Sequence, residues 1–374
     1  MKHSRLAFAV VTLLLVMAAW SLAAGEITTP TDLDLEPAYS GTIADGDRLV
    51  ITLGRDDFAL LTLTPAVSGI YTFAAPNGET PAGGYVNITL YDAAGDKMLL
   101  YDSLSDALNE NTLFAYESPN LYRLEPMVIL RRNETIRIAV RINWSMTYNE
   151  PADGQDFTIT LSCTPLEGGC GPNLDWSLDL ASQTLTISGS GAMSDYSWGN
   201  APWYPFKDQV VHVVIENGAT SICSYAFAET SITDIQIPDS VTSIGASLFN
   251  MTGISDVTLR SHVTQVDANA FNGASSLTVR CEVGSAAQSV AQTNGIPYVY
   301  IPFTETLTLP ADTVTIGGQA FANLGEHVNI EIPAETASIA TDAFSGSTIL
   351  LLVVPGSPAE TWAETNNVPY LPIE

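Results

Sequence analysis

The residues that could do chemistry are few and scattered in this sequence. Outside the first 25 residues, the histidines are His212, His262 and His327, and each is isolated from other plausible metal ligands in the sequence. The chain has no nucleophile elbow, no His-Glu-x-x-His, no phosphate-binding loop and no Cys-x-x-Cys pair. Carboxylates are plentiful, but nothing singles out one pair for glycoside hydrolysis. We therefore predict that the protein is not an enzyme.

The four cysteines, Cys163, Cys170, Cys223 and Cys281, allow three complete disulfide pairings. The repeat described below puts Cys281 at an inward strand position and Cys223 in the first coil, roughly 14 Å away at ~4.8 Å per strand. A disulfide tolerates about 7 Å between Cα atoms. We predict that Cys223 and Cys281 are buried and not bonded to each other, whereas Cys163 and Cys170 could close a short loop.

Exposed polar residues on successive strands are the better candidates for function. The repeat places two rows of side chains on one outward face, and we predict binding residues there: Asp234, Gln236, Asp256, Thr258 and Arg280. His212, Val214 and Thr278 complete the rows. A merely solvated sheet face is the alternative for any single residue. Arg280 is one of three basic residues after Cys170, with Lys207 and Arg260.

A repeat of 22 residues positions these side chains. Three core segments share the spacing: Ile222–Phe227, Ile244–Phe249 and Val266–Phe271. Between them lie strand-like pairs in the same register: Val213/Ile215, Ile235/Ile237, Val257/Leu259 and Val279/Cys281. A fixed period of this length predicts a solenoid, because one such unit has too little core to fold alone and must stack on its neighbours.

A second block repeats the pattern and ends in the same way. Gly284–Tyr298 and Gly356–Tyr370 match after 72 residues, and each predicts a short helix capped by Ser285 or Ser357. Between them, three pairs of residues match the inward strand positions of the first block: Leu307/Leu309, Ile330/Ile332 and Leu352/Val354. We predict a first repeat block at 207–300 and a second, with a C-terminal cap, at 301–374.

The N-terminal half has a different pattern. Residues 1–25 have the basic, apolar and small-residue regions of a secretory signal peptide. In residues 26–166, apolar and polar residues alternate in short runs, and turns with Gly and Asp separate the runs. This pattern predicts an antiparallel β-sandwich. Gly168–Pro172 predicts a linker because Gly and Pro stop regular structure. The predicted fold is therefore mainly β, a sandwich followed by a solenoid with short helices.

Residues 167–206 are predicted to contain the linker and the N-terminal cap of the solenoid. The first coil would otherwise expose its apolar end, so a capping unit must cover it. Large aromatic residues supply the area for that contact: Trp176, Trp198, Trp203 and Tyr204. The alternative for this aromatic cluster is a platform on which sugar rings stack.

Several motifs in order resemble a known family. Cys170-Gly171, Leu174-Asp175-Trp176, Leu185–Met193 and Ala201–Tyr204 resemble the segment that precedes the repeats of BspA-type leucine-rich repeat proteins, and Ile237–Gly245 is similar to their repeat. The resemblance spans 170–374 and implies adhesion or recognition at a cell surface. Residues 26–166 are similar, through short motifs such as Leu90–Gly95, to pre-peptidase C-terminal modules, some of which bind calcium or polymers.

The charge of the chain limits its partners. A formal net charge of -28 repels nucleic acid phosphates and anionic membrane surfaces. Residues 282–374 contain ten acidic residues and no Lys or Arg. Acidity of this kind keeps a secreted protein soluble, and a structural calcium ion on the acidic surface is the alternative. No other cofactor is expected, and the metal ligands are not identified.

These observations predict a secreted or cell-surface, non-enzymatic adhesion protein. Its leucine-rich repeat face would recognise a protein or matrix ligand. The alternative is a carbohydrate-binding accessory protein that binds a polysaccharide through the β-sandwich.

The register can be tested through the cysteines. Alkylation without reduction, followed by mass spectrometry of proteolytic peptides, should show no crosslink between Cys223 and Cys281. Such a crosslink would contradict the register, because it would bring together two coils that the repeat holds apart.

Overall fold

The computed structural model describes residues 37, 39–53, 58–74, 84–101, 115–116, 126–144, 155–324 and 327–373. The predicted signal peptide lies outside these residues. The chain divides into two compact units, one that ends at Gly168 and also includes Asp179–Ser182, and one with Gly169–Leu178 and the chain from Gln183 onward. None of the helices in the described ranges is long and apolar enough to cross a membrane.

The first unit contains two sheets. In spatial order, the first sheet consists of β1 (Tyr39–Thr42), β3 (Phe58–Leu63), β10 (Ile136–Trp144), β5 (Gly84–Tyr91) and β6 (Lys97–Met98). The second consists of β2 (Arg48–Leu53), β11 (Gln155–Pro165), β4 (Gly69–Ala74), β9 (Met127–Leu130), β7 (Leu100–Tyr101) and β8 (Ala115–Tyr116). The main strands predicted from alternation are present at β3, β4, β5, β10 and β11.

Both sheets contribute to one buried cluster. Leu61 of β3 and Ile88 of β5 meet Phe73 of β4 and Leu161 of β11 in it. The pairings are antiparallel except that β1 runs parallel to β3, which differs from the antiparallel prediction. The chain crosses to the second sheet as β2 between these two strands, and such a crossover permits parallel pairing. The assignment of this unit as a β-sandwich stays a prediction.

The second unit is a solenoid whose coils pair through parallel strands. Its first sheet contains β12 (Glu167–Gly171), β13 (Leu174–Asp179), β14 (Thr184–Gly189), β16 (His212–Ile215) and β18 (Asp234–Gln236), and the parallel pairing runs from β14 through β16 to β18. A second sheet on the same coils contains β15 (Gly191–Ala192), β17 (Ala219–Ile222), β19 (Ser243–Ile244) and β21 (Gln265–Val266). A third contains β20 (Asp256–Leu259), β22 (Thr278–Cys281) and β23 (Tyr298–Tyr300).

The second block has its own two sheets and closing helix. One sheet contains β24 (Glu305–Thr308), β26 (Val328–Ile332), β28 (Ile349–Val353) and β29 (Tyr370–Pro372), and the other contains β25 (Thr315–Ile316) and β27 (Ser338–Ile339). The helices are α1 (Ala286–Thr293), which ends the first block, and α2 (Pro358–Asn366), which ends the second. The sequence predicted both helices.

The 22-residue register is confirmed by the strand pairing. His212 lies opposite Asp234, and Ile222 lies opposite Ile244, which in turn lies opposite Val266. The core aromatic residues stack in the same way, with ring centroids of Phe227 and Phe249 6.4 Å apart. Both rings are fully buried. Each coil thus covers the apolar side chains of the next.

The cap extends this aromatic stack by one ring. Trp203 is fully buried, stacks on Phe227 at 6.0 Å between ring centroids, and donates a 2.7 Å hydrogen bond from Nε1 to Ala226 O. Trp176 packs edge-on against Trp203. The predicted packing role is therefore confirmed for these two residues. Trp198 is 43% exposed and contacts the first coil only at its surface, through the ring of Tyr225.

The predicted linker is wrong in its local structure, because Glu167–Gly171 forms strand β12 beside β13. Gly171 is required by close packing and not by flexibility. A Cβ atom there would lie 2.5 Å from Ala192 O, so a side chain cannot be accommodated without movement of the backbone.

Serine residues begin both closing helices as predicted. Ser285 Oγ accepts from Gln288 N, and Ser357 Oγ accepts from Glu360 N, each at 3.2 Å. Asn367 adopts the left-handed conformation at the end of α2, with φ 53°.

Seven of the predicted strand and core-segment positions are not fully buried. Ile235, Ile237, Val266, Phe321, Leu352 and Val354 are half-buried, and Leu307 is 38% exposed. Because Ile330 lies opposite Leu351 and Ile332 opposite Val353, the inward residues of β28 are Leu351 and Val353, and the predicted pair Leu352/Val354 is wrong by one residue. Ile235 and Ile237 lie where the outward-face ladder is interrupted, since β18 and β20 belong to different sheets. Leu307 and Phe321 lie in the first coil of the second block, whose strands β24 and β25 are sheet edges, and burial is lost where the neighbouring strand is missing.

The two blocks meet through a contact that differs from coil stacking. Val283 of the first block and Phe303, in the segment that opens the second block, pack on Leu350 of β28, an outward residue of the second block. Asn329 is fully buried and forms two hydrogen bonds with the backbone of Phe303. Asn329 Nδ2 donates to Phe303 O, and Phe303 N donates to Asn329 Oδ1, each at 2.9 Å. The outward face of the second block is therefore partly covered by the chain itself.

The cysteines are all free. Cys223 and Cys281 are buried and unpaired, as predicted. The short loop that Cys163 and Cys170 could have closed is not formed.

Loss of one stacked ring should destabilise the solenoid strongly. We expect Phe249→Ala to lower its free energy of unfolding by about 3–5 kcal/mol, because the substitution leaves a cavity between two coils. Urea unfolding followed by tryptophan fluorescence measures this. Met251→Ala is the control, because Met251 is 66% exposed and should change stability by less than about 0.5 kcal/mol. A similar small change for Phe249→Ala would contradict the proposed role of stacking.

Candidate surface binding site

The predicted binding residues lie on the outward side of four strands, a surface that we call the outer face. It consists of His212, Val214, Asp234, Gln236, Asp256, Thr258, Thr278 and Arg280. The intervening residues Val213, Val257 and Val279 are buried. Alternation along each strand therefore presents these polar groups to solvent.

Asp234 is held by its neighbours on the outer face. Its Oδ2 atom is hydrogen-bonded to His212 Nδ1 and accepts a 3.1 Å hydrogen bond from Thr233 Oγ1. The side chains of Asp234 and His212 are 55% and 46% exposed. The contact orients the carboxylate and leaves about half of its surface accessible.

Asp256 repeats this arrangement one coil later with a different partner. Its Oδ1 atom lies 3.4 Å from Arg280 Nε, and its Oδ2 atom accepts a 3.2 Å hydrogen bond from Ser255 Oγ. Asp256 and Arg280 are 54% and 52% exposed. An exposed ion pair of this kind contributes at most about 1 kcal/mol to stability, so both charges remain available to a ligand.

The five predicted residues do not form one continuous ladder. Asp256 and Arg280 are in contact, and Thr258 lies opposite Arg280 in the β20–β22 pairing. Asp234 and Gln236 lie on β18, where Gln236 is opposite Val214. Because β18 and β20 belong to different sheets, the outer face is divided into two adjacent patches.

A buried carboxylate that was not predicted from the sequence directly follows β22, the strand that carries Arg280. Glu282 is 4% exposed. Its carboxylate accepts a 2.7 Å hydrogen bond from Ser261 N and forms an ion pair with Arg260, with 2.9 Å between Oε1 and Nη1. Arg260 also donates to Pro302 O at 3.3 Å. Burial raises the pKa of Glu282, but the hydrogen bonds from Ser261 and Arg260 outweigh it and leave the pKa below its usual range. The 22-residue spacing of Arg260 and Glu282 was the available signal.

A second polar cluster lies where the cap meets the first coil. Glu229 Oε2 accepts from Tyr204 Oη at 2.6 Å and from Lys207 Nζ at 2.8 Å. The hydrogen bond from Lys207 is the largest cause of a lowered pKa for Glu229. Nearby, the exposed Trp198 ring lies 5.9 Å from the ring of Tyr225. The sequence indicated the aromatic residues but not Glu229 or Tyr225.

The buried thiols are unsuited to nucleophilic chemistry. Burial raises the pKa of Cys170 and of Cys223 to about 12, and that of Cys281 to about 11. These thiols are therefore protonated at neutral pH, whereas a cysteine nucleophile acts as the thiolate. In the described ranges, no three His, Cys, Asp or Glu residues are grouped so that they could hold a metal ion.

The Glu282 carboxylate should make stability depend on pH. Because its folded pKa is below the ordinary value, its contribution is complete above about pH 4.3 and is lost as pH falls through the folded pKa. We expect Glu282→Gln to lower the free energy of unfolding by about 1–3 kcal/mol at pH 7, and this difference to shrink at pH 3.

Urea unfolding of both proteins at pH 7, 4 and 3 measures the effect. Glu305→Gln, which removes an exposed carboxylate, is the control and should show no comparable change. A difference for Glu282→Gln that is equal at pH 7 and pH 3 would contradict the interpretation.

Comparison with known proteins agrees with the repeat architecture. Residues 204–286 and 299–360 match the family described as BspA type leucine rich repeat region, in six copies. No curated protein matches the chain.

Two crystal structures are similar to this chain. A leucine-rich repeat protein from Eubacterium ventriosum has 18% identity and a TM-score of 0.23, with 50% of this chain and 66% of that chain covered. A leucine rich cell surface protein from Faecalibacterium prausnitzii has 16% identity and a TM-score of 0.13, with 52% of this chain and 77% of that chain covered.

The family match falls on the coils that carry the outer face and on the second block. These residues of the solenoid are thus similar to a BspA-type leucine-rich repeat region.

Proposed function

We propose that the protein is a secreted or cell-surface, non-enzymatic adhesion protein that binds a protein or matrix ligand through the outer face. The observation that carries this proposal is the repeated presentation of oriented, half-exposed carboxylates, Asp234 and Asp256, on adjacent coils. Leucine-rich repeat proteins are generally binding proteins, and stacked coils provide the extended surfaces that such binding uses.

The contrast between the blocks supports the choice of surface. In the second block, the outward residues Asn329 and Leu350 are fully buried by the chain itself. In the first block, the outward residues Asp234, Asp256 and Arg280 are exposed. The outward surface is therefore more accessible on β20 and β22 than on β26 and β28, although the residues of β24 are also exposed.

The charges favour a ligand with basic groups beside hydrogen-bonding groups. Asp234 and Asp256 supply carboxylates, while Gln236 and Thr258 are exposed and neutral. The net charge of -28 adds a long-range attraction for a basic ligand surface. Arg280 supplies one positive charge and would favour a ligand that also carries an acidic group near its edge.

Removal of the two carboxylates should weaken binding. We expect the double variant Asp234→Asn with Asp256→Asn to bind a responsive extracellular-matrix protein about thirtyfold more weakly, because each of the two lost charge pairs contributes roughly 1 kcal/mol. Surface plasmon resonance of the full chain against a panel of purified matrix proteins measures the affinity. Binding of the unaltered protein should also decrease with added salt.

The control is the double variant Asp312→Asn with Glu335→Gln. It changes the net charge equally at two exposed positions in the second block. Equal affinities for the two double variants would contradict binding through the outer face. If the full chain binds polysaccharides and none of the matrix proteins, and Trp362→Phe in the second block leaves that binding unchanged, the carbohydrate-binding alternative through residues 26–166 is favoured instead.

A further inference from the structure

A cavity of about 360 Å³ lies in the second block, on the side of the coils that does not carry the outward-facing strands. One wall is the strand β27, with Ser338 and Ile339, and the other is helix α2, with Pro358, Thr361 and Trp362. Its volume is near the lower end of the range for small-molecule sites, about 300–1,000 Å³.

The cavity exists because the ladder of coils stops there. In the preceding coil, Val314 O accepts from Ala337 N and Ile316 O accepts from Ala340 N, each at 2.9 Å. Equivalent bonds join successive coils of the first block, where Ile222 O accepts a 2.9 Å hydrogen bond from Gly245 N. At β27 the helix replaces the next strand, and no amide of the described chain bonds to Ala337 O or Ile339 O. Ala337 and Ile339 line the cavity, and by the same ladder geometry their carbonyl groups face the missing strand.

The opposite wall supplies groups that can donate. Within the described residues, the hydroxyl of Thr361 and the indole N–H of Trp362 make no hydrogen bond. Their neighbours are fixed, since Thr365 Oγ1 donates to Thr361 O at 2.7 Å and Asn366 Nδ2 donates to Trp362 O at 2.8 Å. The Trp362 ring packs edge-on against Phe344 at 5.7 Å. The donors therefore sit on a well-supported helix.

The lining of the cavity contains no charged residue. The surrounding chain, residues 282–374, has ten acidic residues and no Lys or Arg. An anion would be repelled by this field, and a cation would find no carboxylate in the cavity wall. The chemistry fits a neutral ligand with several hydroxyl groups.

We propose that this cavity binds one or two rings of a neutral saccharide. Sugar hydroxyls would donate to Ala337 O and Ile339 O and accept from Thr361 and Trp362, while Pro358 and the Trp362 ring cover the C–H face. The site is independent of the outer face, because it lies beside the other sheet of the coils and uses α2.

The first block provides an internal comparison. Its helix α1 places Ser289 and Val290 at the positions of Thr361 and Trp362, 72 residues earlier. Val290 has no N–H group and no aromatic ring, so the equivalent junction lacks the main recognition residue. Ser289 is therefore a matched control position for Thr361.

The test follows the indole N–H resonance of Trp362 in the ¹⁵N-labelled full chain, assigned as the signal lost in Trp362→Phe. Methyl β-glucoside, methyl β-galactoside and maltose are the probes. We expect at least one of them to shift this resonance saturably at millimolar concentration. Thr361→Ala should weaken that affinity about five- to tenfold, as expected for one lost hydrogen bond, and Ser289→Ala less than about twofold.

Three results would overturn the proposal. The first is no shift with any of the three saccharides up to about 50 mM while the protein stays folded. The second is a shift that Thr361→Ala and Ser289→Ala affect equally. The third is tighter binding of glucuronate or of the neutral peptide N-acetyl-triglycine amide than of every saccharide, since this would indicate an acidic or a peptide ligand. Matrix-protein binding through the outer face is measured separately, so either proposal can fail alone.

Discussion

The second unit depends on one constraint, which is that no coil can bury its own apolar side chains. Phe227 is covered by Trp203 on one side and by Phe249 on the other, and the backbone hydrogen bonds between coils fix the same spacing. Where a neighbour is missing, burial decreases, as it does at Phe321 in the first coil of the second block. The cap, the closing helices and the block junction are different solutions to this requirement.

This constraint also decides which surfaces are available for binding. Because inward positions must be apolar, the sequence is free to vary at outward positions, and these hold the carboxylates of Asp234 and Asp256. In the second block, outward positions form internal contacts. Asn329 and Leu350 occupy outward positions and hold the end of the first block. Similar coils therefore serve an exposed surface in one place and an internal contact in another.

The sequence predicted the periodic features well, because period and register are local properties of the chain. The 22-residue pairing, the buried Cys223 and Cys281 and both serine-capped helices could all be derived from spacing. Contacts between distant, non-equivalent segments could not. The segment of strand β12 was predicted as a linker because Gly and Pro stop regular structure, whereas Gly171 is required by the approach of Ala192 O.

The candidate site was predicted only in part for the same reason. Alternation placed Asp234, Gln236, Asp256, Thr258 and Arg280 on an exposed face, but it could not show that β18 and β20 lie in separate sheets. Nor could it show that Glu282 is buried and paired with Arg260, whose side chain also donates to Pro302 O. That residues 26–166 bind a carbohydrate through a β-sandwich stays a prediction.

The junction at Asn329 has a mechanical consequence. Within a block, coils are joined by repeated backbone ladders, so a pulling force along the chain would be shared by many equivalent bonds. Between the blocks, the load would pass through a different set of contacts, which includes the hydrogen bond from Arg260 to Pro302 O and the apolar packing of Val283 on Leu350, while Asn329 holds Phe303 at the start of the second block. For a protein that holds a partner under tension, this arrangement lets one block yield while the other keeps its binding surface intact.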